Sequence, residues 1–212
     1  MRVSVIHPST RIGDAQELAA AARAHAPEGM AIRALGAPFG AQLISTPSTL
    51  RLAHEAIGTM ADTLIHDDGV IVGSAFDPGI ERLRAVLPGK VVGAGEAAMR
   101  TAARRGPFSI VTTAPKLGEA LRALAKAYGL APHLASVRAF ETETPFTAGP
   151  GDAARFFASV HTAFKDDGAR SVIVDWRAFR ADMADGLGAE IALIDPLASA
   201  VAAMEAALGE VL

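Results

Sequence analysis

Apolar and polar positions along this chain fall into blocks whose period switches between that of a strand and that of a helix. Val3, Val5 and Ile6 predict a first strand over 3–6, and the Ala-rich stretch from Asp14 to His25 predicts a helix closed by Pro27 and Gly29. Met30 to Leu35 reads as a second strand, Gly36 to Thr46 as an irregular piece, and Pro47 to His66 as a helix with Leu50, Ala53, Ile57, Met60 and Leu64 on one face. Val70, Ile71 and Val72 are too uniformly apolar for a one-faced sheet and too short a run for a helix, so they predict a central parallel strand. A helix from Gly79 to Val86, a strand over Lys90 to Val92 and a helix opening at Gly95 and Glu96 complete the first half.

The same order then repeats. Phe108 to Val111 is a strand, Lys116 to Tyr128 a helix stopped by Gly129 and Pro132, and Ala135 to Ala139 a second strand. Glu141 to Gly151 is the longest loop, of a length more often functional than idle and a plausible lid. Asp152 is expected to cap a helix running to Asp166, followed by the Val172 strand, a helix near Arg180, a strand over Ile191 to Ile194 and a last helix from Pro196. Alternation of strand and helix predicts an α/β fold of two pseudosymmetric lobes, each a four-stranded parallel sheet flanked by helices, with a cleft between them. The lobes are placed at 1–104 with the final helix 196–212, and at 105–195.

Ligands of open α/β sheets bind beyond the carboxyl ends of the strands. The first-strand tips fall at His7 and Thr112. In GVIVGSAFDPGI the third-strand tip is Ser74, and in SVIVDWRAF the corresponding tip is Asp175 with Trp176. All four tips are expected to face one cleft.

Composition narrows the partners. The 212 residues are 50% hydrophobic, enough for a substantial core, and 20 basic against 23 acidic residues leave a formal charge of −3 without a basic run. Nucleic acid is not an expected partner. No apolar run approaches the roughly 20 residues of a membrane span, and the opening MRVSVIHP is a strand rather than a leader, so a cytoplasmic protein is expected. Nothing speaks against a homo-oligomer. The chain has no cysteine, hence no thiolate chemistry and no Cys-ligated metal. His25, His54, His66, His133 and His161 lack ligand spacing, so no metal site is expected.

VIHPST, VIVGSAFDPGI, VVGAGEAAM and FSIVTT, in this order and spacing, resemble the aspartate/glutamate/hydantoin racemase superfamily, with the hydantoin and allantoin racemase branch nearest. The resemblance spans nearly the whole chain. It implies a cofactor-independent enzyme acting on a small carboxylate or cyclic ureide held between two α/β lobes. It also implies one cysteine per lobe, on opposite faces of the substrate's stereocentre. Those positions are Ser74 and Trp176 here, and His7 stands where the hydantoin branch has Asn. A serine hydroxyl is far less acidic than a thiol and an indole offers no base, so two-thiol racemisation is excluded.

What remains is a set of candidate groups. His7 can serve as acid or base near neutral pH, Ser74 as nucleophile or water-positioning group, and Asp175 as the carboxylate that orients an imidazole, a hydrolytic arrangement. Each has a plainer reading: a structural histidine, a small turn residue, and a salt bridge to Arg177 or Arg180. Trp176 and Arg177 would line the ligand site, the indole shrinking or reshaping it. Thr112, Thr113 and the backbone amides around Ala75 would cradle an anion, as the resemblance implies. Glu96 is read as a favourable charge at a helix start. Beside the enzyme stands a second class, a pseudoenzyme or binding protein for a small acid.

Overall fold

The structure is a computed structural model that describes residues 1–144, 150–174 and 191–209. The expected helix near Arg180, the tips Asp175 and Trp176, Arg177, and the middle of the 141–151 loop lie outside the described residues. The strands are β1 (Arg2–His7), β2 (Ala31–Gly36), β3 (Gly69–Val72), β4 (Lys90–Gly93), β5 (Phe108–Thr112), β6 (Leu134–Ala139), β7 (Ser171–Val174) and β8 (Ala192–Ile194). The helices are α1 (Ile12–Arg23), α2 (Pro47–Gly58), α3 (Ala61–Leu64), α4 (Ile80–Val86), α5 (Ala94–Ala103), α6 (Gly118–Ala127), α7 (Pro150–Lys165) and α8 (Pro196–Gly209).

Two four-stranded parallel sheets result, in orders β2-β1-β3-β4 and β6-β5-β7-β8. Burial follows the sequence pattern. Every residue of β3, β5 and β7 is buried, as the continuous apolar runs of central parallel strands require, whereas the flanking β2 and β6 are only partly covered. Registers make the repeat explicit. Val3 pairs with Gly69 as Phe108 pairs with Ser171, and Ile6 with Val72 as Val111 with Val174.

The chain divides into two compact units, one of Met1–Ile44, Ser48–Ala97 and Leu197–Leu212, the other of Ser45–Pro47 and Ala98–Pro196. In the first, Ile6, Ile57, Leu64, Val70, Val72, Leu83 and Leu87 form one buried cluster. Helix α8 covers the start of β3 so closely that a Cβ on Gly69 would collide with the Met204 sulfur. In the second, Val111, Phe156, Val160, Val172, Val174 and Ile191 pack together, with Phe156 and Phe157 edge to face at 5.6 Å. Among the described residues, no helix is long and apolar enough to cross a membrane.

Two expectations of local structure are corrected. The helix expected through His66 breaks after Gly58, where the Thr59 and Met60 N–H groups turn to the Ala56 and Ile57 carbonyls at 3.2 and 3.1 Å. Glycine is a weak helix former, and the Thr59 hydroxyl adds its own bond to Ala56 O at 2.8 Å. The apolar stripe survives the break, for Met60 and Leu64 are still buried. Asp152 does not precede its helix but sits in the first turn of α7, reaching back to accept the Glu143 N–H at 3.0 Å.

Candidate functional site at the strand tips

The carboxyl edge of the first sheet brings His7 and Ser74 onto adjacent strands, since the Gly73 N–H donates to Ile6 O at 2.9 Å. Gly73 has to be small: a Cβ there would strike the side chain of Leu18 in α1. Beyond it the chain folds back on itself. The Ser74 carbonyl accepts the Asp77 and Gly95 N–H groups, both at 3.2 Å, and its hydroxyl oxygen accepts the Phe76 N–H at 3.3 Å. Ser74 and Ala75 are partly exposed while Gly73, Phe76 and Asp77 are buried, so the turn offers solvent only its tip.

Asp77 is the anchor of that turn, and sequence reasoning gave it no more than a place in it. Its carboxylate accepts the Gly95 and Glu96 N–H groups at 2.9 and 2.7 Å, satisfying two orphan donors at the start of α5 from a distant segment. The residue is 1% exposed and has φ of +43°, a left-handed conformation that Asp tolerates better than most. A Cβ on Gly93 would overlap the carboxylate, and one on Gly95 would overlap Ala75 O. The legible signal was the pair of glycines facing an Asp-Pro-Gly turn. At the other end of the turn the Gly79 N–H donates to His54 Nδ1 at 3.0 Å, and Gly79, at φ of +74°, lies against Ile57. Partial burial lowers the His54 pKa although its outer face is exposed. Glu96 pairs with Arg84 at 2.7 Å, in keeping with a structural charge at a helix start.

His7 is 5% exposed and is paired with Ser9, two residues further on. The Ser9 N–H donates to His7 Nδ1 at 3.3 Å and the Ser9 hydroxyl lies 2.9 Å from the same nitrogen. The Pro8-Ser9 turn carries it, for Ser9 Oγ also accepts the Arg11 N–H at 3.3 Å.

The second sheet has its own tip. Thr112 is buried, and its hydroxyl oxygen accepts the Ala114 N–H at 3.1 Å, the same two-residue step that links His7 and Ser9. Thr113 beside it is partly exposed. Among the described residues, no hydrogen bond engages the Thr113 hydroxyl or the Ala75 N–H. Asp175, Trp176 and Arg177 follow β7 in the sequence. Since Val174 matches Val72 by register, residue count puts Trp176 at the repeat position of Ser74.

Two parallel sheets in the same strand order, each with small polar groups past the carboxyl ends, match a known class. Residues 3–204 match the family described as Asp/Glu/Hydantoin racemase, and the chain belongs to that family. Within it, the chain is 30% identical over 151 residues to the hydantoin racemase of Rhizobium meliloti, covering 67% of this chain and 61% of that protein, less than two thirds of its length. Among solved structures it is similar to the allantoin racemase from Klebsiella pneumoniae, with a TM-score of 0.85 and 29% identity over 100% of this chain and 89% of that one. The allantoin racemase from Pseudomonas fluorescens gives a TM-score of 0.85 and 26% identity over 100% and 92%.

Proposed function

We propose that this protein is an isomerase-type enzyme that handles a small cyclic ureide or carboxylate at the carboxyl edges of its sheets, without two-thiol proton exchange. The observation that carries the reading is the tip of the β3 turn. There Ser74 stands at the position the resemblance gives to a cysteine, next to an Ala75 N–H with no partner among the described residues. A backbone N–H held in a turn built by Asp77 is a preorganised donor for a carbonyl or carboxylate oxygen. In the second unit, Thr113 offers a hydroxyl of the same kind. The names of the similar proteins suggest hydantoin or allantoin as the ureide.

Any chemistry then falls to groups other than thiols. Ser74 keeps a hydroxyl proton that no described residue accepts, and Asp175 adds a carboxylate directly after Val174, the last residue of β7 to pair with β5. A second reading, a binding protein without turnover, is favoured by the local duties of the two nearest candidates, because His7 Nδ1 and Ser74 Oγ both accept backbone N–H groups of their own turns. Calorimetric titration with allantoin, hydantoin and glutamate tests the ligand class, and chromatography of the same mixtures tests turnover. Saturable binding of at least one ligand is expected. Absence of binding to all three would overturn the reading, and binding with an unaltered ligand would select the second.

A further inference from the structure

We infer that His54 is a positioning residue that clasps the β3 turn to α2 through the Gly79 N–H, and that uptake of a proton by its ring opens the clasp. His54, Ile57 and Gly58 stand at helical steps of three and four, hence on one side of α2. Against that side lie the end of the β3 turn and the start of α4: a Cβ on Gly79 would strike Ile57, and one on Gly58 would strike the Arg82 side chain. There the Gly79 N–H donates to His54 Nδ1 at 3.0 Å. A backbone N–H can only donate, so this bond needs a bare Nδ1 and puts the proton of the neutral ring on Nε2. A proton on Nδ1 would set two donors face to face.

The turn is tied to β1 by the Gly73 N–H on Ile6 O, to α5 by the Asp77 carboxylate and to α2 by this bond. Of these ties, the one to α2 ends on an imidazole, whose acceptor a proton removes near neutral pH. The charged groups nearby leave that acceptor to Gly79. On α2, Arg51 and Glu55 are exposed; from the α4 side Arg82 lies over Gly58, Glu81 pairs with Arg84 at 3.5 Å, and Asp77 is turned to α5. Among the described residues, none of them hydrogen-bonds or pairs with the His54 ring. Burial lowers the pKa of the ring, and a bond to its neutral form works in the same direction. A folded value below the unfolded one adds stability that is complete above about pH 6.5 and lost as pH falls through the folded value. Ser74 and Ala75 ride on the same turn, so opening the clasp should also weaken what the turn holds. That consequence rests on the proposed ligand class; the clasp does not.

Amide hydrogen exchange read by NMR, each rate taken relative to the intrinsic rate at its pH, follows the clasp with no ligand present. In the parent the Gly79 protection factor should fall about tenfold between about pH 8 and about pH 5, the worth of one hydrogen bond, in step with the titration of the His54 ring. His54→Asn keeps an oxygen acceptor near the place of Nδ1 that takes up no proton in this range, so it should protect Gly79 equally at both ends. His54→Leu should leave the amide weakly protected throughout. Affinity for allantoin or hydantoin should fall several-fold over the same range in the parent and stay level in His54→Asn. Constant Gly79 protection while the ring titrates overturns the inference, as does an equal fall in His54→Asn or a parent ring with its proton on Nδ1 at the alkaline end. Ligand affinity that stays level in the parent while Gly79 is released overturns the positioning role. Should His54→Leu not fold, the parent and His54→Asn decide between them. If neither ligand binds the parent the proposed function fails, while the exchange rates still decide the clasp.

Discussion

Each unit holds a carboxylate against an arginine and a serine beside its central strands, but the two clamps are built differently. Asp67, its side chain 1% exposed, takes Arg2 at 2.7 Å, Arg33 at 2.8 Å and the Ser4 hydroxyl at 2.6 Å. Asp167, 17% exposed, takes a single Arg138 through both oxygens at 2.6 and 2.7 Å, together with Ser136, which in turn meets Ser109 at 2.8 Å. Ser4 and Ser109 occupy the same register position, while Arg33 lies opposite Ser4 and Arg138 two residues further along its strand. Duplication preserved the chemistry and let the supplying residue slide, a slide that goes with the irregular register between Phe108 and Ser109. The tips behave the opposite way. At the first-strand tips the carbonyls of His7 and Thr112 each accept a backbone N–H at 3.1 Å while the side chains differ, and by residue count Ser74 stands against Trp176.

The clamps should therefore differ in strength. Asp67→Ala strands two arginines and a buried hydroxyl and should cost about 2–4 kcal/mol in denaturant unfolding, against about 1–2 kcal/mol for Asp167→Ala. Equal costs would contradict the comparison. The hydrogen bond from Arg138, then that from Ser136, holds the Asp167 carboxyl below its ordinary pKa against the opposing effect of burial. A carboxyl with a lowered folded value adds stability that is complete above its unfolded value and lost as pH falls through the folded one. Asp167→Asn should thus lower stability above about pH 4, where the parent has this contribution in full, and flatten the acid limb below it, so that the two proteins converge as pH falls.

The β3 turn supplies the next effect. Asp77→Ala leaves the Glu96 N–H without this acceptor and the Gly95 N–H with only the Ser74 carbonyl, and should cost about 1–3 kcal/mol, while Gly93→Ala, which drives a methyl into that carboxylate, should cost about as much alone. In the double variant the collision disappears, so the two costs should be clearly less than additive. Strict additivity would show that the carboxylate is not what Gly93 accommodates. Smaller still is Thr113→Val, expected to weaken ureide or carboxylate binding by about 1–2 kcal/mol in calorimetry without moving the unfolding midpoint. At the low end stands Ser171, whose buried hydroxyl finds no hydrogen-bond partner among the described residues. Ser171→Ala should be neutral or stabilising by up to about 1 kcal/mol, since burying an unpaired hydroxyl is itself unfavourable.

Most of the fold was legible because each central strand is a short apolar run bounded by turn residues, and that pattern repeats at a constant order. The eight strands fall within a residue or two of their expected positions. The break at Gly58 was not legible, because an amphipathic stripe continues across it and periodicity cannot see an Arg82 side chain occupying the space of a missing Cβ. At the tips, positions were readable and partnerships were not. His7 ends β1 and Ser74 follows the adjacent β3 as expected, yet His7 Nδ1 meets the N–H and the hydroxyl of Ser9, two residues away. Such short-range side-chain to backbone bonds leave no periodic trace. Asp77 was hidden for the converse reason, since its donors lie 18 and 19 residues downstream.

The central claim is that a member of this family without cysteine handles a family-type ligand without the two-thiol proton exchange. Proton NMR of a 5-substituted hydantoin and of allantoin in deuterated buffer follows the C5 hydrogen directly, with line broadening in the same spectra reporting binding. The account predicts broadening by the protein while the C5 signal decays no faster than in buffer alone. Decay accelerated by the protein and abolished in His7→Ala would contradict it, for it would show that proton abstraction persists and that His7 carries it.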